Sequence, residues 1–187
     1  MVSGTTFDHL VVGAKTLDEG AAWVESKLGV APVPGGKHPI MGTHNRLLFI
    51  GPKRFLEVIA VDPEAKDPGR PRWFDLDEPY MREALERSPA LIHWVERTSD
   101  LDAALRDYGE TVEVLALERG PYRWRIGVPR DGHRPAGGAL PTLIQWEGAL
   151  HPADALPDTG VRLDDFTHAS GRLAATFATP AGTRTMR

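Results

Sequence analysis

The sequence predicts an α+β fold in which two β-α-β-β-β units shape a cupped sheet around one cleft. Two observations carry this. The chain repeats itself: Phe7-Asp8-His9-Leu10-Val11-Val12 returns as Leu91-Ile92-His93-Trp94-Val95, and Leu17-Asp18 is matched by Leu101-Asp102, both at an offset of 84 residues. A recurring strand, polar turn and helix marks a duplicated supersecondary unit, and duplication sets equivalent side chains, here His9 and His93, around a shared cleft. Strand-like segments then follow each helical segment in the same order.

The elements read as follows. Residues 6–13 form a strand with Phe7, His9 and Val11 on one face and Leu10 and Val12 on the other. Thr16 and Glu19 have capping-box spacing, Leu17, Ala21, Val24 and Leu28 recur at helical spacing, and Gly29 is a natural stop. Residues 31–42 are rich in Pro and Gly and read as loop with at most a short strand. Asn45–Ile50 and Arg54–Val61 are strands joined by Gly51-Pro52-Lys53, a hairpin signal. A linker over 62–78 leads to a short helix from about Pro79 to Arg87, with Met81, Ala84 and Leu85 inward. The second unit begins at Ala90. Its helix is capped near Ser99, carries Leu101, Leu105 and Tyr108, and stops at Gly109; strands follow at about 111–117, 122–128 and 140–147. A late strand, Gly171–Thr179, ends in the turn Thr179-Pro180-Ala181-Gly182. The whole chain, 1–187, reads as a single domain: module one about 5–62, linker and short helix 63–89, module two about 90–148, and a C-terminal tail with the late strand at 149–187.

With 187 residues, 41% apolar and 26% charged, the chain has the composition of an ordinary globular protein able to bury its own core. A net charge of −4 advertises neither nucleic acid nor an anionic membrane. Apolar runs are strand-sized, too short to span a bilayer, and Met1–Thr6 lacks signal-peptide regions, so a cytoplasmic location is the expectation. The absence of cysteine excludes disulfides, thiol nucleophiles and Cys-based zinc sites. There is no Ser-His-Asp signature, phosphate loop or nucleotide fingerprint.

The candidate chemistry lies on strand faces. Glu57 shares a face with Phe55, Ile59 and Val61, which places a carboxylate on a mostly buried surface. The matching position in the second unit is read as Gln145, beside Leu143: His9 to Glu57 spans 48 residues and His93 to Gln145 spans 52. Imidazole and carboxylate suit Zn, Fe, Mn, Co or Ni, and an amide oxygen is a weaker ligand. His44 and Asn45, at a loop-to-strand junction, are candidates to contact a polar substrate. Trp124, Trp146 and Phe49 are candidates for an aromatic wall around an apolar ligand. His38, His133, His151 and His168 sit in Gly- or Pro-rich or acidic segments and read as solvated.

Paired units of this kind, with candidate ligands on their first and last strands, resemble the vicinal oxygen chelate superfamily and its glyoxalase / dihydroxybiphenyl dioxygenase-like fold. The opening Phe7–Val12, the block Met41-Gly42-Thr43-His44-Asn45-Arg46, the strand Phe55-Leu56-Glu57-Val58-Ile59-Ala60 and the closing Thr179–Gly182 are similar to its glyoxalase-like domain branch. The resemblance covers essentially the whole chain, most thinly between about 150 and 170. It implies a divalent metal ion (Zn, Ni, Mn or Fe) held by His9, Glu57, His93 and Gln145, with Glu57 as the proton-moving base. It implies an enzyme of lyase, isomerase or dioxygenase type acting on a small molecule with vicinal oxygens, and a homodimer by analogy. The alternative on the same fold is a metal-free small-molecule binding or resistance protein.

Each residue also has a structural reading. His9 and His93 could be core histidines, Glu57 could be an ion-pair partner of Arg46 or Arg54, and Gln145 could be a structural amide. His44 and Asn45 could cap a turn, and Trp124 and Trp146 could be core.

Overall fold

The computed structural model describes residues 4–109, 111–169 and 172–187; Met1–Ser3 and Gly171 of the expected late strand lie outside the described residues. The first module runs β1 (Thr6–Gly13), α1 (Leu17–Leu28), β2 (Val33–His38), β3 (Thr43–Gly51) and β4 (Arg54–Val61). After α2 (Pro79–Arg87), the second runs β5 (Ala90–Arg97), α3 (Leu101–Ala104, continued by a 3-10 turn to Tyr108), β6 (Val112–Arg119), β7 (Tyr122–Pro129) and β8 (Thr142–Trp146). The sheet order β2-β3-β4-β1-β5-β8-β7-β6 is a palindrome of modules. It is a mixed sheet: β1 runs parallel to β4 and β5 parallel to β8, while β1 and β5 meet antiparallel at the centre.

The central pairing proves the duplication. Thr6 faces Arg97, His9 faces Val95, Val11 faces His93 and Gly13 faces Ala90, with Leu10 opposite Trp94. Shifting β1 by the 84-residue offset maps this list onto itself, so a local two-fold passes between Leu10 and Trp94 and makes His9 the counterpart of His93. Even the bulges correspond: the register skips Asp8 on β1 and Ile92 on β5. A bulge gives one strand an extra residue and re-aims its side chain.

Local signals behave as their chemistry requires. Thr16 caps α1 by accepting from the Glu19 N–H at 3.2 Å, and Gly29 closes it in the left-handed region at φ 77°. Gly20 lets α1 lie close on β4, since a Cβ there would sit 2.4 Å from Val58 Cγ1. The expected loop over 31–42 contains the six-residue strand β2, paired to β3 despite its glycines. The second helix is capped by Asp100, not Ser99. The tail adds two strands besides the expected one: β9 (Arg162–Ala169), β10 (Arg172–Thr179) and β11 (Gly182–Met186) form a separate antiparallel sheet.

Two cores lie on opposite faces of the large sheet. On one, Leu10, Val12, Leu48, Leu56, Val58 and Trp94 pack with α1 and with Ala175, Phe177 and Met186 of the small sheet. On the other, Val11, Ile59, Val95, Trp124, Ile126 and Ile144 meet Trp73 and Phe74 from the segment before α2. The second face carries the site. No described helix is long and apolar enough to cross a membrane.

Candidate functional site

Strand alternation sends His9, Glu57 and Asn45 to the same concave face. His9 is held twice over. Its Nδ1 donates to Asp8 Oδ1 at 2.7 Å, and its ring stacks on Phe55 with centroids 4.3 Å apart and planes 14° apart. With Nδ1 committed to Asp8, the ring turns Nε2 toward Glu57, 3.7 Å from Oε2. Glu57 Oε1 accepts from Asn45 Nδ2 at 2.6 Å. His9, Asn45 and Glu57 are all buried.

Asp8, the bulge residue, is completely buried and organises the base of the site. Its Oδ2 accepts from Trp146 Nε1 at 3.0 Å and from His151 Nε2 at 3.1 Å, and lies 3.6 Å from Arg97 Nη1. His151 must donate through Nε2, because its Nδ1 accepts the Ala153 N–H at 3.2 Å. Burial alone would raise the Asp8 carboxyl, but the bonds and charges of His151 and His9 outweigh it and hold the group well below the usual carboxylate range.

The opposite wall comes from both sheet edges. Arg119, last in β6, reaches across to β2 and β3 and donates to Asn45 Oδ1 at 3.1 Å. His38 at the end of β2 lies beside it: Nδ1 is 3.1 Å from Thr43 Oγ1, and Nε2 is 3.4 Å from both Asn45 Nδ2 and Arg119 Nη1. Burial pushes the His38 pKa down to about 4, so the ring is neutral near pH 7. Burial likewise lowers that of the Arg119 guanidinium. A cavity of about 40 Å³, room for a few heavy atoms, lies among His9, His38, Asn45, Glu57 and Arg119. Its apolar walls include Trp73, Phe74, Trp124 and Trp146.

A glyoxalase-like domain family matches residues 7–181. The chain belongs to the glyoxalase-like domain family. Among solved structures, this glyoxalase-like chain is similar to methylmalonyl-CoA epimerase from Mycobacterium tuberculosis, at 23% identity over 80% of this chain and 90% of that chain, with a TM-score of 0.46. It is similar also to a Streptomyces coelicolor methylmalonyl-CoA epimerase variant in complex with 2-nitronate-propionyl-CoA, at 18% identity over 80% of this chain and all (100%) of that chain, with a TM-score of 0.49. No curated protein matches it in sequence.

The glyoxalase-like site draws together only part of the expected set. His9, Glu57, Asn45, Trp124 and Trp146 meet at the cavity. His44 does not: it points to the other face of β3, with Nδ1 4.0 Å from Asp62. Neither Arg46 nor Arg54 pairs with Glu57; Arg46 binds Asp18, and Arg54 lies over Phe7. His93 is fully buried, and its Nε2 accepts the Thr142 N–H at 3.1 Å and lies 3.0 Å from Thr142 Oγ1. That fixes the proton on Nδ1, which is buried without a partner. Gln145 is corrected outright. Its Oε1 accepts the Leu101 N–H at 3.0 Å and its Nε2 donates to Ser99 O at 3.0 Å, so it caps α3 on the opposite face of the sheet.

These positions decide whether a metal fits. His9 and Glu57 offer two adjacent donors with Asp8 and Asn45 behind them, the kind of support that metal ligands have. A third is missing: His93 has spent Nε2 on Thr142, Gln145 faces away, and the guanidinium of Arg119 stands on the remaining side. Among the described residues, no group of three or more His, Cys, Asp or Glu side chains is placed to hold a metal ion. The residues do not fit the four-ligand centre that the resemblance implies.

Sequence reasoning missed Asp8, His38, Arg119, Trp73 and Phe74. His38 and His151, read as solvated, are buried, whereas His168 is exposed. His133 is half-exposed and bonded to Asp75.

Proposed function

We propose that the protein is an enzyme of isomerase or lyase type that moves a proton on a small molecule held in the aromatic cup. Glu57 takes the proton and His9 steadies or relays it. The observation that supports this reading best is the buried line Asp8–His9–Glu57 ending at a cavity. Asp8 fixes the orientation of the His9 ring, and His9 Nε2 faces the carboxylate. An oriented base beside a desolvated pocket is the arrangement that general acid–base catalysis needs. In the step, a C–H bond beside a substrate carbonyl breaks and its proton passes to Glu57. The electron pair delocalises into the carbonyl, and the proton returns to the same or the neighbouring carbon. No oxidant or reductant is consumed.

The test is solvent deuterium exchange followed by NMR on a panel of small 2-oxo and 2-hydroxy carbonyl compounds. Wild-type protein exchanges deuterium into at least one, and Glu57→Gln, nearly isosteric, loses about 10²–10⁴ of that rate while keeping its fold. Should a compound bind tightly with no exchange in either protein, the second reading leads: a metal-free binding protein, favoured by the walls of Trp73, Phe74, Trp124 and Trp146.

A further inference from the structure

Among the described residues, the Arg119 guanidinium makes no ion pair, and its hydrogen bonds all leave from Nη1, to Asn45 Oδ1 at 3.1 Å and toward the neutral His38 ring at 3.4 Å. The Nε–Nη2 edge, the half of the fork that matches a carboxylate, makes none. That edge is not sealed in protein either, since Arg119 is not among the residues with fully buried unpartnered atoms; the residue lines the cavity, and its Nε passes beside Gly36. The Trp124 ring lies beside the group, 6.0 Å from its centre. Glu57, the nearest anionic wall of the cup, is separated from it by the Asn45 amide. Gly36 makes the reach possible: a Cβ there would sit 2.4 Å from Arg119 Cδ.

A half-buried guanidinium with a free edge is costly to desolvate and recovers that cost by binding an anion in bidentate fashion. We propose that Arg119 anchors the carboxylate of the ligand, so that the site takes small organic acids and presents the carbon next to the carboxylate to Glu57. Asn45 sets the spacing, holding the anchor with its oxygen and the base with its nitrogen. The proposal deepens the proton-transfer reading and rests on it for the role of Glu57, but the anion anchor is tested without turnover.

The experiment is a binding titration by calorimetry and by fluorescence of the cavity tryptophans. Pyruvate, lactate and glycolate are compared with their neutral amides. Wild-type protein should prefer at least one acid over its amide by about 10-fold to 100-fold, the range of a hydrogen-bonded charge. Arg119→Met should abolish that preference, Arg119→Lys should keep part of it, and Glu57→Gln should retain it. If Arg119→Met does not fold, Gly36→Ala decides, because it displaces the guanidinium and leaves every charge in place; it too should lose the preference. The proposal is overturned if no acid outbinds its amide, or if the preference survives in Arg119→Met or in Gly36→Ala. A preference found without deuterium exchange would overturn the proton-transfer reading and leave the anchor standing.

Discussion

Thr142 stands in the second module where Glu57 stands in the first. Val11 pairs with Glu57 on β4, and Val95, the two-fold counterpart of Val11, pairs with Thr142 on β8. Side-chain contacts repeat the relation: His9 Nε2 faces the Glu57 carboxylate, and His93 Nε2 faces the Thr142 hydroxyl. The two modules therefore carry matching histidines but differ on the partner strand, with a carboxylate in the first and a hydroxyl in the second. The half with the carboxylate opens on the cavity, and the other half is a core hydrogen bond.

This equivalence predicts the effect of placing a carboxylate in the second module. Thr142→Glu should raise affinity for Ni²⁺ or Zn²⁺ by about 10-fold to 100-fold, the scale on which a well-placed supporting group acts in metal sites. Gln145→Glu, on the other face, should leave affinity unchanged. Calorimetric titration of both variants checks this; a gain in the Gln145 variant alone would mean the register has been misjudged.

The same comparison shows what the sequence could and could not say. His9 and Glu57 were legible because each alternates with apolar neighbours on a strand, which fixes the face. Gln145 was misassigned by three residues from Thr142, an odd shift that flips a side chain through the sheet. The cause is the long connection between β7 and β8, which hides where the second module's last strand begins. Asp8 was missed because alternation puts it on the face away from His9, and only the bulge turns it into the site. His38, His151 and Arg119 are brought in by long-range contacts. The signals present were Gly35-Gly36 inside a strand, which marks close approach, and Trp73-Phe74 within a polar linker, which marks a loop that covers something.

Buried neutral histidines give stability a definite pH dependence. Burial pushes the pKa of His38 down to about 4 and that of His93 to about 3, against about 6.5 in the unfolded chain. A depressed folded pKa means that the unfolded state takes up the proton first. The contribution is therefore complete above about pH 6.5 and lost as pH falls toward the folded values. Melting temperature should fall steadily from pH 6.5 to 4.5, while neither ring reaches the midpoint of its titration by NMR in the folded protein. A flat profile across that window would show that both rings reach water.

Asp8 carries the base of the site. In Asp8→Asn, His9, His151 and Trp146 keep at most one neutral acceptor in place of a carboxylate, leaving buried donors unpaired. The expected loss is about 3 kcal/mol, the scale for breaking a buried charged network by removing one partner. Urea unfolding at pH 7 measures it. A loss below about 0.5 kcal/mol, the level of an ordinary surface change, would mean that His9 is positioned by its stack on Phe55 and not by Asp8.

The roof of the cavity is a strained turn held by one carboxylate. Phe74 and Asp75 are consecutive non-glycine residues in the left-handed region, both at φ 61°. Each costs about 1–3 kcal/mol. The offset is visible in Asp75, which accepts from the Arg134 N–H at 2.9 Å, from Arg134 Nε, from His133 Nδ1 at 3.0 Å and from the Tyr80 hydroxyl. Bonds to a charged group contribute about 1.5–3 kcal/mol each, so four outweigh the strain of two residues. Burial would raise the Asp75 carboxyl, but the bonds from Tyr80 and Arg134 prevail and lower it, so the latch holds at neutral pH and releases in acid. Asp75→Ala removes the latch and keeps the strain. Trp73 and Phe74 should then lift from the cup: melting temperature falls, tryptophan emission shifts to the red, and acrylamide quenches it more strongly. Emission and quenching identical to wild type would show that packing of Phe74 against Trp73 and His93 holds the roof without Asp75.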